Sequence, residues 1–96
     1  MTEIAMQGKP RRSEILVIND ENDTPSLLNP MSGKIFLTNR VGRRIIEMAD
    51  GGHSVDEIVD EIARTFKAVT RAAAHDDVVT FLRQGTEQGL VAWGDN

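Results

Sequence analysis

The residues Gly33-Lys34-Ile35-Phe36-Leu37-Thr38-Asn39 run from a turn through a strand-like segment directly into a helix, and the rest of the chain is organised around them. Gly33 tolerates the positive φ that many turns require. The β-branched and aromatic side chains that follow favour a strand. A strand that comes last in a small sheet can lie at its edge, where backbone N–H and C=O groups stay unpaired. We interpret this stretch as an exposed edge able to hold the backbone of another chain.

Two further strand-like runs precede this stretch. Residues 14–18 read Glu-Ile-Leu-Val-Ile and end in the turn-forming run Asn19-Asp-Glu-Asn-Asp-Thr-Pro25. Ser26–Asn29 then resumes an extended pattern before the turn that leads to Gly33. Together with residues 34–38, these runs predict a three-stranded antiparallel meander.

Helices follow the strands, and the first two have clear boundaries. Thr38 or Asn39 can cap the first helix, and the glycine pair at residues 51–52 ends it. Ser54 and Glu57 have the spacing of a capping box, in which each side chain accepts a hydrogen bond from the other residue's backbone N–H. Apolar residues recur at helical spacing in both segments, so each helix has one face directed to a core.

The third helix is predicted for residues 71–88, with Thr70 as its cap. Its apolar stripe consists of Ala74, Val78, Phe81, Leu82 and Gly85. The final run, Leu90-Val-Ala-Trp93, can form a short strand or a hydrophobic latch. This order predicts an α+β fold, a small winged helix-turn-helix-like domain in which a three-stranded antiparallel sheet is followed by three α-helices.

Length and composition indicate one small domain. The chain has 96 residues, 40% of them hydrophobic, which suits a single core. We expect residues 1–12 to be a flexible N-terminal arm, residues 13–93 the domain, and residues 94–96 a short tail. There is no cysteine, and no apolar run approaches the roughly 18 residues that would suggest a membrane span. These features predict a cytoplasmic protein without a membrane partner.

Charge and motif content disfavour nucleic-acid binding and catalysis. The net charge is −4 at pH 7, whereas proteins that bind the phosphate backbone of nucleic acids usually have a basic surface. His53 and His75 lack the short spacing of a helical metal-ligand pair. Asp76 and Asp77 are adjacent, so on a helix they point about 100° apart and do not suit shared proton chemistry. We therefore predict no enzyme activity, no metal and no cofactor.

An ordered set of motifs resembles the PqqD family. The motifs are Lys34-Ile-Phe-Leu-Thr-Asn39, Ile45-Ile46, Asp50-Gly-Gly-His-Ser-Val-Asp-Glu-Ile58, Asp77-Val-Val-Thr-Phe-Leu82 and Gly89-Leu-Val91. Each motif is short, but the set keeps the family's order and spacing over about residues 10 to 93. One departure is Leu37-Thr38-Asn39, where the family usually has Leu-Asn without an intervening residue.

The resemblance implies a RiPP recognition element, a domain that binds the leader of a ribosomally made precursor peptide. Such a domain presents the peptide to a modifying enzyme, often a radical SAM protein or a leader peptidase. In the family, the leader adds as a strand beside the third strand, in a groove walled by the third helix. The candidate peptide-binding residues are Lys34, Ile35, Phe36, Leu37 and Thr38 on the strand, and Val79 and Arg83 on the helix.

Strand periodicity divides these candidates between two faces. Ile35 and Leu37 share one face, and Lys34, Phe36 and Thr38 share the other. In a domain with three phenylalanines, Phe36 suits the core better than the role of peptide anchor. The family resemblance would let Arg83, Lys34 or Arg40 meet an acidic leader.

Three alternatives stay open at this point. A winged-helix DNA-binding protein would have to read a groove with Arg71 and Arg83 of the third helix. An adaptor subunit would dock onto an enzyme through the acidic outer face of the second helix. A free sheet edge could also pair with a second copy of the chain and form a homodimer.

Overall fold

The computed structural model describes residues 4–20, 24–67 and 69–93. Its elements are β1 (Pro10–Arg12), β2 (Val17–Asn19), β3 (Ser26–Asn29), β4 (Lys34–Leu37), α1 (Arg40–Met48), α2 (Val55–Thr65), α3 (Arg71–Glu87) and β5 (Val91–Trp93). The chain therefore has an α+β fold with three helices and antiparallel sheets. The predicted tail, residues 94–96, lies outside the described residues.

The predicted meander is present as a three-stranded antiparallel sheet in the order β2-β3-β4. Its first strand starts later than expected, at Val17 rather than at residue 14. The reason is a turn, because the backbone N–H of Leu16 donates to the carbonyl of Ser13 and takes the preceding residues out of the strand. β4 is the last strand of this sheet and lies at one of its edges.

A second sheet was not predicted, and it involves the segment assigned to the flexible arm. Pro10–Arg12 pairs antiparallel with Val91–Trp93, so these residues are a strand and not part of a loose arm. The arm is also bound upstream, because Gly8 and Met6 accept hydrogen bonds from the first backbone N–H groups of α2. Sequence patterns missed this sheet because its two strands are about 80 residues apart in the chain.

Arg12 of β1 connects the two-stranded sheet of β1 and β5 to the end of α1. Its guanidinium donates to the carbonyl oxygens of Ile46 (3.3 Å), Glu47 (3.1 Å) and Ala49 (3.3 Å). The last carbonyls of a helix have no partner within the helix and carry partial negative charge. Arg12 therefore caps the C-terminus of α1 from a strand near the beginning of the chain.

Each of the three helices begins at a capping residue that the sequence predicted. Asn39, and not Thr38, caps α1 through a 2.9 Å hydrogen bond from the backbone N–H of Gly42. The predicted capping box of α2 is complete: Glu57 N–H donates to Ser54 Oγ (3.1 Å) and Ser54 N–H donates to the Glu57 carboxylate (2.7 Å). Thr70 caps α3 as predicted.

The core lies between the three helices and the inner faces of both sheets. The α3 stripe is buried as predicted, except that Phe81 at its margin is only half-buried. From the sheets, Leu27 of β3 and Val91 of β5 reach the core. β4 contributes Phe36, which is partly buried and packs against this cluster.

Candidate functional site

The outer edge of β4 has unpaired backbone groups that point away from the sheet. The N–H of Thr38 donates to Pro25 O at 2.8 Å, so Thr38 and, by alternation, Phe36 direct their backbone groups toward β3. The N–H and C=O groups of Ile35 and Leu37 therefore point to the open side. No described strand pairs there, which leaves four backbone hydrogen-bonding groups for an added strand.

A groove of about 120 Å³ separates this edge from α3. Its apolar lining is supplied chiefly by Phe36 and Phe81, which face it from the strand and the helix, and by the buried Leu27 beneath them. The lining residues are Leu27, Phe36, Leu37, Thr38, Phe81, Gln84, Gly85, Gln88 and Leu90. The groove thus has an apolar interior, and two glutamine amides lie along its helical wall.

A second depression of about 290 Å³ continues the groove toward the N-termini of α1 and α3. The two share Thr38, Phe81 and Gln84. The second depression adds the carboxylates of Asp76 and Asp77. The combined groove therefore changes from apolar beside Phe36 to acidic beside the first turns of α3.

The predicted strand residues occupy different positions in this site. Phe36 and Thr38 line the groove from the face of β4 that points to α3, whereas Leu37 between them borders the groove at the strand edge and has a side chain that is 75% exposed on the other face. Phe36 also packs against the core, so one side chain both lines the groove and contributes to the core. Lys34 and Ile35 lie on the same strand outside the groove, and Ile35 is 64% exposed on the other face of the sheet.

The predicted helix residues, Val79 and Arg83, do not line the groove. At 3.6 residues per turn, each lies about 200° around α3 from Phe81 and so faces away from β4. The helical wall is formed instead by Phe81, Gln84 and Gln88. The sequence showed the apolar stripe containing Phe81 but carried no signal for which flank of that stripe faces β4.

The arginines near the start of α1 are largely engaged in ion pairs. Arg43 pairs with Asp20 and with Glu47. Arg44 donates to Glu61 at 2.9 Å, and this hydrogen bond raises the pKa of Arg44 and lowers that of Glu61. These charges hold α1 against its neighbours, and the groove itself is lined by neither arginine.

The candidate catalytic groups occupy separate surface positions. His53 contacts Asp50 at 3.0 Å, and the pKa of Asp50 is lowered chiefly by the backbone N–H of Gly52. His75 lies beside Asp76 on α3. Within the described ranges, no group of three or more histidine or carboxylate side chains is placed to hold a metal ion. None of the described helices is long and apolar enough to cross a membrane.

Two solved structures share this fold over nearly their whole length. One is TbiB1 in complex with the TbiA(beta) leader peptide, which is 29% identical with a TM-score of 0.71, over 88% of this chain and 99% of that one. The other is lasso peptide synthetase B1 complexed with the leader peptide, which is 20% identical with a TM-score of 0.68, over 88% and 98%. A comparison with curated proteins finds no match.

The family comparison agrees with the motifs. The model described as Coenzyme PQQ synthesis protein D (PqqD) matches residues 26–91, from β3 to the start of β5. This segment includes β4, all three helices and both walls of the groove. Because the match extends over well more than half of the 96 residues, the chain belongs to the PqqD family.

Proposed function

We propose that this chain is a non-catalytic module that binds the leader of a ribosomally made precursor peptide and presents it to a modifying enzyme. The observation that carries the proposal is the open edge of β4 beside an apolar groove. The small winged helix-turn-helix-like domain would then hold a peptide at this edge. The likeness to a TbiB1 structure that contains a leader peptide supports the same function.

Strand addition to β4 provides the backbone part of binding. The four groups of Ile35 and Leu37 can form four hydrogen bonds, each contributing about 0.5–1.5 kcal/mol net. Association costs at least about 4 kcal/mol in lost translational and rotational freedom. Backbone pairing alone therefore barely balances that cost, and burial of peptide side chains against Phe36 and Phe81 must provide the remaining affinity.

Alternation along the added strand specifies which peptide residue enters the groove. A residue opposite Phe36 lies in a non-hydrogen-bonded pair, where side chains approach most closely, and it points to the same face as Phe36. That face is the groove side, lined also by Phe81. The peptide should therefore place one apolar side chain there.

For the enzyme partner, we propose a class of enzyme and not one particular protein. A module of this size that holds a leader along one edge leaves the rest of the peptide free to reach an active site on another protein. A radical SAM protein or a leader peptidase would fill that role. The acidic outer face of α2 is a surface for docking such an enzyme away from the peptide, although Arg71 already pairs there with Asp56 and Asp60.

The test is titration of the labelled protein with a synthetic leader of the precursor encoded beside its gene, followed by amide NMR. We expect micromolar or tighter binding, with the largest shifts in β4 and on the groove side of α3. Absence of binding by any such leader would contradict the proposal. A salt-sensitive complex with duplex DNA would favour the DNA-binding alternative, which the exposed carboxylates of Asp76 and Asp77 on α3 oppose.

A further inference from the structure

Exposed apolar side chains are concentrated on one part of the molecule. Among the described residues, the exposed large hydrophobic side chains are Ile15, Val17, Met31, Ile35 and Leu37. All of them belong to the three-stranded sheet, to its hairpin turn or to the turn that precedes it. Exposed apolar side chains that form a contiguous patch are typical of interaction sites.

Strand register shows that this surface extends to the open edge. Val17, Leu28 and Ile35 lie opposite one another across β2, β3 and β4. The neighbouring row, Ile18, Leu27 and Phe36, faces the core. The row that contains Ile35 therefore lies on the outer face of the sheet and ends at the strand edge where nothing described pairs.

Backbone and side-chain directions coincide at two residues. Ile35 and Leu37 direct their N–H and C=O groups to the open edge, and they direct their side chains to the outer face, where they are 64% and 75% exposed. A residue of an added strand directly opposite either one has its side chain on the same face, with the two Cβ atoms about 4.5–5.5 Å apart. The added strand thus continues the apolar row.

We infer that Ile35 and Leu37 select the peptide through its outward-facing side chains. The peptide class is an extended segment with apolar residues at two positions, i and i+2, that lie opposite Leu37 and Ile35. The residue between them enters the groove. This inference rests on the proposed function and adds a second set of specificity contacts, on the face opposite the groove.

We expect the peptide strand itself to cover the part of this surface next to β4. The row of apolar side chains ends at the open edge of β4, and only a strand paired with β4 continues it. A polar side chain at either outward position would lose the apolar cross-strand contact. The expected effect is about two- to fivefold in affinity at each position, so about four- to twenty-fivefold for both.

The experiment begins with a phage-displayed library of random 12-residue peptides selected on the wild-type protein. We expect the enriched peptides to share two apolar residues spaced by two. One selected peptide is then titrated against the double variant Ile35→Thr/Leu37→Thr, in which threonine retains strand propensity. Val17→Thr is the matched control, because it removes an exposed apolar side chain from the same face at the far strand.

The double variant should bind the peptide about four- to twenty-fivefold more weakly, and Val17→Thr should bind it like the wild type. A double-mutant cycle, in which the outward peptide residue opposite Ile35 is also changed to threonine, should show that the two losses are not additive. Equal binding by the double variant, or additive losses, would overturn the inference. Equilibrium unfolding of both variants verifies that they fold.

Other outcomes separate this inference from the proposed function. If the library yields no binding peptide and the encoded leader also fails to bind, the proposed function fails. If peptides bind but lack the apolar pair and tolerate the double variant, only the inference fails. If sedimentation shows a wild-type dimer that the double variant abolishes without loss of peptide affinity, the outer face pairs two copies and the inference is overturned.

Discussion

Gly42, in the first turn of α1, lies so close to Thr38, at the exit of β4, that a methyl group at position 42 would overlap the Thr38 hydroxyl oxygen. The same methyl group would lie 2.9 Å from a ring carbon of Phe81. Thr38 and Phe81 both line the groove. The absence of a side chain at Gly42 therefore allows α1, β4 and α3 to meet beside the candidate site.

Replacing Gly42 with alanine should destabilise the protein. Overpacking costs about 1–3 kcal/mol, and alanine's better helix propensity returns up to about 1 kcal/mol. We expect a net loss of about 1–2 kcal/mol in the free energy of unfolding by urea. Gly52→Ala is the control, since a methyl group there would meet only the side chain of Asp50. A Gly42→Ala protein as stable as the wild type would contradict the packing described.

Replacing Arg12 with alanine should destabilise the end of α1. The change removes the charged Nη1 group, whose two hydrogens are shared among three carbonyl oxygens, and we expect a loss of about 1–2 kcal/mol. Arg11→Ala is the matched control, because it removes the same charge from an exposed neighbouring position. Chemical denaturation of both variants measures the difference. Similar losses for the two variants would show that charge, and not the cap, is responsible.

Acid should weaken the capping box of α2. The backbone N–H of Ser54 is the main cause of the lowered pKa of Glu57 in the folded protein. A lowered folded-state pKa contributes stability that is present above the unfolded value, about 4.3, and is lost as the pH falls through the folded value. Glu57→Gln should therefore be less stable than the wild type at pH 7, and the difference should shrink below about pH 4.

Thermal melts of the wild type and Glu57→Gln between pH 7 and pH 3 make this measurement. Glu14→Gln serves as the control, because Glu14 lies in an exposed turn and takes no part in the described hydrogen bonds. The Glu14→Gln melts measure the effect of removing a carboxylate that lies outside the capping box. A constant difference for Glu57→Gln would exclude a role for the Glu57 charge.

Filling the groove should block peptide binding without unfolding the domain. Gln84 is exposed on the helical wall, so Gln84→Trp places a large ring beside Phe36 without altering the core. We expect at least a tenfold loss of affinity for the encoded leader by isothermal titration calorimetry. Arg83→Trp adds the same ring one residue away, outside the groove, and should retain wild-type affinity. A loss of affinity in Arg83→Trp, with wild-type affinity in Gln84→Trp, would place the site on the face of Val79 and Arg83.

Local signals were sufficient for elements whose interactions are close in sequence. The caps at Ser54 and Thr70 and the α3 stripe appear where the sequence predicted them, because each depends on residues within about four positions along the chain. β3 and β4 are also local, since one tight turn joins them. The ordered family motifs, which lie in these same segments, led to the correct family.

The features that the sequence did not predict depend on contacts between residues that are distant in the chain. Pairing of β1 with β5 and the cap that Arg12 places on α1 join residues far apart in the chain, so no periodicity reports them. The prediction of Val79 and Arg83 differed from the structure for the same reason, because a helix can be rotated about its axis without changing its own pattern.

Neighbouring residues are enough to predict a short strand that leads into three capped helices, since turn chemistry, capping and apolar spacing are properties of short segments. Which flank of α3 faces β4, and which side chains of β4 remain exposed, depends on how the helices and the sheet pack against one another. The packing of Phe36 and Phe81 against the shared core sets that rotation, and it places Gln84 and Gln88 on the groove and Ile35 and Leu37 on the outer face.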